Sequence, residues 1–253
     1  MDSLTYCIYS GAKELLVLKK INFDKTNKHK PITAILVDIW NEERLLNLPF
    51  RNCSIFYIAP YYTIIPNRLY SEVDKATYLL PLKEDSPVLE TYLADPLPSC
   101  TSQLIFSIPQ ELIQFLDEKY PSTYQVQHSF TSLINEFQKQ TGFGREVFVN
   151  IRDRYLQIFF FDNKELIFSN QFSFESDKDF LYYILLVFDQ FKLNPMEVPL
   201  KIAGTLSDDS TIYNQLYRYI QQLSFINLPT IFQSDLDLKQ HPEHLFFDVL
   251  HAG

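Results

Sequence analysis

The side chains best suited to chemistry gather near the C-terminus: His241-Pro242-Glu243-His244, then Asp248 and His251. If Pro242 opens a helix, His244, Asp248 and His251 fall at i, i+4 and i+7 along one face, a spacing that can hold a divalent metal. A solvated terminal helix with Leu245, Phe246, Val249 and Leu250 packed inward explains the same residues without a metal. Asp208 and Asp209 sit in a turn before a helix, where N-capping accounts for them. Cys7, Cys53 and Cys100 are widely spaced beside apolar stretches and form no CxxC, so they read as small buried hydrophobes of a reducing compartment. No Ser/His/Asp arrangement stands out among the plentiful hydroxyls and acids. Glycine is the informative shortage, with five in 253 residues. Loops that cradle phosphate need glycine, because backbone must approach the ligand at unusual dihedral angles. The composition therefore argues against a nucleotide enzyme. A net charge of −9 is the wrong sign for a chain that lives on nucleic acid, and the basic stretch Lys25–Lys30 reads as a solvated loop.

Positioning any of these residues requires a framework, and 46% apolar residues supply one. The longest apolar run, Phe180 to Phe188, is nine residues, against the roughly 20 of a membrane helix, and Met1-Asp2-Ser3-Leu4 lacks a signal-peptide pattern. A cytoplasmic protein is expected. Strands are predicted at Leu4–Tyr9 and Glu14–Ile21, joined as a hairpin around Gly11. A helix follows Pro31, with Ile32, Ile35, Leu36, Ile39 and Trp40 at helical spacing. Strands over Cys53–Ile58, Tyr62–Ile65, Leu89–Leu93 and Gln103–Ile108 lead to a helix over Gln110–Lys119. A strand at Tyr124–His128 and a helix near Phe130–Gln140 complete the first half. Gly142-Phe143-Gly144 breaks the pattern and sets the expected boundary, giving domains 1–142 and 143–253.

The second half is clearer. Glu146–Ile151, Tyr155–Phe161 and Leu166–Phe174 form a three-strand meander, with Asp162-Asn163-Lys164 as a hairpin turn. Ser176 and Asp179 resemble a capping box for a helix to about Lys192. Apolar residues surround that helix, so it should be buried on more than one side or cover an interface. A strand at Pro199–Ala203, a turn at Gly204–Asp209 and a helix over Ser210–Ser224 follow. The order β-β-β-α-β-α-β is ribonuclease-H-like, and the first half begins in a similar way. Two such halves in tandem are the actin-like ATPase architecture, an α/β fold of mixed sheets. A complete first meander would need a strand before Leu4.

Particular stretches strengthen this reading. Ser3-Leu4-Thr5-Tyr6-Cys7-Ile8-Tyr9-Ser10, Ile58-Ala59-Pro60 with Thr63-Ile64-Ile65-Pro66, and Leu104-Ile105-Phe106-Ser107-Ile108-Pro109 resemble an uncharacterised, mainly Bacteroidetes family, domain of unknown function 3822. These are core and turn patterns rather than catalytic motifs. The resemblance implies an actin-like or ribonuclease-H-like fold, similar to pilus-assembly ATPase relatives, and no established activity.

Actin-like ATPases place an Asp-x-Gly turn after the first meander strand, the acid serving Mg²⁺ and the glycine admitting phosphate. The matching stretch is Val149-Asn150-Ile151-Arg152-Asp153, with Asn150 in place of the acid and Arg152 in place of the glycine. Ile202-Ala203-Gly204-Thr205 resembles half of the adenosine-side glycine pair. A two-metal nuclease would need a carboxylate where Asn150 stands. The first expectation is thus a non-catalytic interaction or scaffold protein with no cofactor, acting through an unidentified protein partner or self-association. The alternative is a divergent nucleotide binder using Asn150, Arg152, Gly204 and Thr205 in an interdomain cleft, with a metal-dependent nuclease third.

Overall fold

Alternating and β-branched sequences make strands from the start of the chain. In the computed structural model, which describes residues 3–12, 14–23, 30–83, 88–152, 154–207, 209–226 and 243–250, Ser3–Tyr9 (β1) pairs with Leu15–Asn22 (β2). The turn is closed by the Ser10 N–H donating to the Glu14 carbonyl at 2.8 Å. The chain divides into two compact units, one chiefly Ile21–Asn135, the other Thr5–Lys20 with Glu136–His251.

The first unit begins with Ile32–Glu42 (α1), whose start lies directly after Pro31, and it buries Ile35, Leu36, Ile39 and Trp40. Cys53–Tyr57 (β3) and Tyr62–Pro66 (β4) follow. Short helical turns around Lys75–Leu79 (α2) fill a stretch where the sequence predicts nothing, because single turns are too short to show periodicity. Glu90–Leu97 (β5), Ser102–Pro109 (β6), Gln110–Lys119 (α3), Tyr124–His128 (β7) and Ser129–Gln140 (α4) complete the order. The sheet order is β4-β6-β5, antiparallel, and β3 pairs separately with β7 in parallel. Trp40 sets its ring edge against Phe115 at 5.2 Å, tying α1 to α3.

A buried carboxylate starts α4. Asp95 on β5 accepts from the His128 N–H at 2.6 Å and the Thr131 hydroxyl at 2.7 Å. Burial raises the Asp95 pKa to about 6, against the opposing pull of those two bonds. His128 is enclosed by the rings of Tyr62, Phe106 and Phe130. Burial drives its pKa down to about 3. Its Nδ1 accepts the Phe130 N–H at 3.1 Å, so the neutral ring carries its proton on Nε2.

The second unit holds Arg145–Arg152 (β8), Tyr155–Asp162 (β9), Glu165–Ser173 (β10), Asp177–Gln190 (α5), Leu200–Gly204 (β11), Thr211–Tyr217 (α6) and Leu223–Phe225 (β12). The C-terminal segment is a tight turn over Glu243–Phe246 and a single helical turn, Phe247–Leu250 (α7). The sheet order is β10-β9-β8-β11-β12, with β8-β9-β10 antiparallel and β11 and β12 parallel to β8. That is the ribonuclease-H-like order expected. Asn163 and Lys164 take φ of 50° and 70°, the left-handed pair that a two-residue hairpin turn demands. The capping box at Ser176 and Asp179 forms in both directions.

Three details depart from expectation. The helix predicted to reach Ser224 stops at Tyr217, because Leu223–Phe225 pairs with Leu200–Ile202 and the ladder outweighs helix propensity. Ser210, not an aspartate, caps α6 by accepting from the Tyr213 N–H, while Asp209 accepts from the Ser207 hydroxyl; Asp208 lies outside the described residues. The α5 helix buries one face, Phe180, Ile184, Val187 and Phe188, and leaves Tyr182 and Leu186 exposed.

Alternation along β8 sorts its side chains. Val147, Val149 and Ile151 enter the core under α5 and α6. Phe148, Asn150 and Arg152 take the other face, where Phe137 of α4 stacks between Phe148 at 4.8 Å and Phe247 of α7 at 5.4 Å. That second face holds the polar positions singled out by sequence.

Candidate functional site

Asn150 and Arg152 lie two residues apart on β8, so both project to the same side of the sheet. Arg152 is buried and forms a two-pronged ion pair through Nε and an Nη nitrogen with both carboxylate oxygens of Asp248 on α7. Its other Nη reaches the Thr5 hydroxyl on β1 at 3.5 Å. The side chains of Arg152 and Asp248 are only 6% and 10% exposed, so the pair is shielded from water on both sides. Such a forked pair is strong in place but desolvated, and either charge alone would be poorly solvated there.

Asn150 is fully buried and donates from Nδ2 to Gln157 Oε1 at 2.8 Å and toward Asp248 at 3.5 Å. Gln157 passes the chain on to Gln171 at 3.0 Å. The row follows from register, since Asn150 opposes Gln157 on β9 and Gln157 opposes Gln171 on β10. Asn150 Oδ1 has no hydrogen-bond partner among the described residues.

Gly204 ends β11 with φ of 90°, and a Cβ there would lie 2.1 Å from the Ile151 carbonyl oxygen. The glycine is required because at this positive φ a side chain would be driven into the Ile151 backbone of the neighbouring strand β8, with which Gly204 is paired. Thr205 is fixed by the same carbonyl, donating from its N–H at 2.9 Å and from its hydroxyl at 3.3 Å.

Of the three C-terminal metal-ligand candidates, the two among the described residues, His244 and Asp248, go to different places. His244 stacks on Phe225 at 4.0 Å, its Nε2 lying 2.6 Å from the Leu206 carbonyl, while Asp248 holds Arg152. Leu250 is buried as the sequence reading of this segment has it, but Phe247 and His244 are buried too, so the segment is not a solvated helix with its polar residues facing water. His251 and Pro242 lie outside the described residues, and among those described no three His, Cys, Asp or Glu side chains converge as metal ligands. The segment's backbone is held as well, with the Val249 carbonyl taking the Cys7 thiol at 3.8 Å and the Leu250 carbonyl taking the Tyr9 hydroxyl at 3.2 Å. Thr5, Cys7 and Tyr9 alternate along one side of β1, so the N-terminal strand and the C-terminal segment clasp each other.

The structure thus brings Asn150, Arg152 and Asp248 into contact and sets Gly204, Thr205 and His244 on the adjoining end of β11. Sequence reasoning missed Thr5, Gln157, Phe137 and Phe225. Its available signal was period two: polar residues at 150, 152 and 157 interrupt strands whose neighbours are aromatic and aliphatic. As placed, these positions do not fit a Mg²⁺-nucleotide. The amide at 150 is turned to Gln157, the guanidinium at 152 is neutralised, and the glycine at 204 is filled by backbone.

A family model described as "Protein of unknown function (DUF3822)" matches residues 1–223. The chain belongs to this family. The matched residues end at Leu223, so the segment that holds Arg152 lies beyond them. The family member resembles a crystal structure from Bacteroides thetaiotaomicron described as a protein with actin-like ATPase fold and unknown function. The two are 24% identical, the alignment covers 89% of this chain and 87% of that one, and the TM-score is 0.79. It also resembles a chain of the PilM-PilN type IV pilus biogenesis complex at 10% identity, covering 99% of this chain and 94% of that one, with a TM-score of 0.60. These likenesses show an actin-like ATPase fold. No curated protein matches in sequence. No helix among the described residues is long and apolar enough to cross a membrane.

Proposed function

We propose that this DUF3822 protein is a non-catalytic member of the actin-like ATPase fold that acts by binding another protein. One observation carries the reading: the Arg152 guanidinium, at the degenerate phosphate position, is neutralised by Asp248 of the same chain. Asn150 stands where a metal-holding acid is needed, and an amide is a poorer Mg²⁺ ligand than a carboxylate. A chain of the same fold sits in a complex named for PilM and PilN, which supports an interaction role. Tyr182 and Leu186, one turn apart on α5 and exposed, are apolar surface available for contact. In this reading the two compact units are ribonuclease-H-like halves of a cytoplasmic scaffold, with Thr5–Lys20 belonging to the second half rather than to the first as the 1–142 boundary has it.

Thermal unfolding of the full chain with and without millimolar Mg²⁺-ATP tests it. A ligand that binds only the folded state at 100 times its Kd adds about 2.7 kcal/mol of stability. No rise in midpoint with ATP, ADP or GTP is expected. A rise that disappears in Arg152→Ala would make the protein a nucleotide binder and end the non-catalytic reading.

A further inference from the structure

The C-terminal segment is seated like a bound peptide. Asp248 supplies a carboxylate to the Arg152 fork, Phe247 continues the ring stack of Phe137 and Phe148, and His244 lies flat on Phe225. Buried aromatic anchors around one forked charge pair are the features that dominate peptide and protein recognition. The groove belongs to β1, β8, α4, β12 and the end of β11, all apart in sequence from its occupant. Its floor also keeps an acceptor that the occupant does not satisfy, Asn150 Oδ1, on the amide whose nitrogen points toward Asp248. The segment is therefore a serviceable occupant and not a perfect one.

We propose that this groove is a docking site for a short peptide of a partner protein, an aromatic pair followed by an acid and aliphatic residues, and that residues 243–250 occupy it as a tethered competitor. The proposal rests on the interaction role proposed above and names its surface. A tethered occupant at millimolar effective concentration lowers the apparent affinity of an incoming peptide by the fraction of time the groove is closed. Weakening the chain's own occupant must then strengthen binding in trans.

The probe is a fluorescent synthetic peptide with the sequence of residues 243–250, titrated by anisotropy against the full chain. The wild-type chain is expected to bind it weakly, and Asp248→Lys, which sets a like charge against Arg152, at least tenfold more tightly. Adding Arg152→Ala to that variant should remove the gain, as should a peptide with asparagine at the aspartate position. Equal affinity for wild type and Asp248→Lys overturns the proposal. Should Asp248→Lys not fold, hydrogen exchange on the wild-type chain decides. Residues 243–250 are expected to exchange at least tenfold faster than β8 and β11, because docked elements open separately from a core. Exchange at the rate of β8 would make the segment a fixed part of the core and overturn the proposal. A concentration-dependent dimer dissolved by excess peptide would make a second copy the occupant and overturn the assignment to a partner. Mg²⁺-ATP binding by the wild-type chain, lost in Arg152→Ala, would overturn the proposed function itself. Binding of neither ATP nor peptide would leave that reading standing and end the docking proposal alone.

Discussion

Removing one member of the Arg152–Asp248 pair should destabilise the second unit far more than removing both. With side chains 6% and 10% exposed, truncating either leaves the other charge in a poorly solvated place. The usual loss for breaking a buried pair is about 3–5 kcal/mol. For a folding unit of about 130 residues, each kcal/mol shifts the midpoint by roughly 3–4 °C, so Arg152→Met or Asp248→Leu alone should lower it by about 10–18 °C. The double variant replaces the pair with apolar groups of similar volume, next to Phe247 and the Phe137 stack, and should return to within about 2 kcal/mol of wild type. Urea denaturation of all four proteins closes the cycle and gives the coupling directly. The segment could escape the penalty only by undocking, which exposes Phe247 and Leu250 and caps the loss at the free energy of docking. Single variants that lose less than about 1 kcal/mol, with no coupling in the double, would show a pair that water already reaches.

Other consequences follow from the same geometry. Gly204→Ala puts a methyl group against the Ile151 backbone at positive φ, and should cost more than about 3 kcal/mol or yield insoluble protein, read by expression and thermal midpoint. Ser176→Ala removes one half of the capping box and should cost about 1 kcal/mol by urea denaturation, with Ser176→Asp close to neutral. Asp95 and His128 pull the pH profile in opposite directions. The Asp95 pKa is raised, so its contribution is present below pH 4 and is lost as pH rises to about 6. The His128 pKa is lowered, so its contribution is present above pH 6.5 and is lost as pH falls toward about 3. Asp95→Asn should therefore gain on wild type steadily between pH 4 and 6, by about 3 kcal/mol in all. Parallel stability curves would exclude a titrating Asp95.

The second unit was legible in sequence because its signals are local. Alternation gives the meander, Asp162-Asn163-Lys164 its turn, and Ser176 with Asp179 the start of α5. Elements with non-local causes were not legible. β12 exists only because β11 offers an unpaired edge, and its three residues would not form a strand alone. The helix α4 was legible near Phe130–Gln140, but its tie to Asp95 on another strand, through the His128 N–H and the Thr131 hydroxyl, was not. The site divides in the same way. Sequence could place Asn150 and Arg152 on one face of β8, since that needs only the strand and its period of two. It could not pair Arg152 with Asp248, which lie 96 residues apart.

That pairing changes how the degenerate positions are understood. An arginine where a phosphate-facing glycine belongs, left without a partner in a buried place, would be a standing cost to the fold. The chain meets that cost with an acid from its own end, and builds the contact with two ring stacks and two carbonyls held by β1. What separates a permanent repair from a displaceable occupant is whether the segment opens before the sheet does. The clasp to β1 argues for cohesion, and the unsatisfied Asn150 oxygen argues that a better occupant can exist. Hydrogen exchange of residues 243–250 against β8 weighs those two directly, and on that ratio the docking proposal stands or falls.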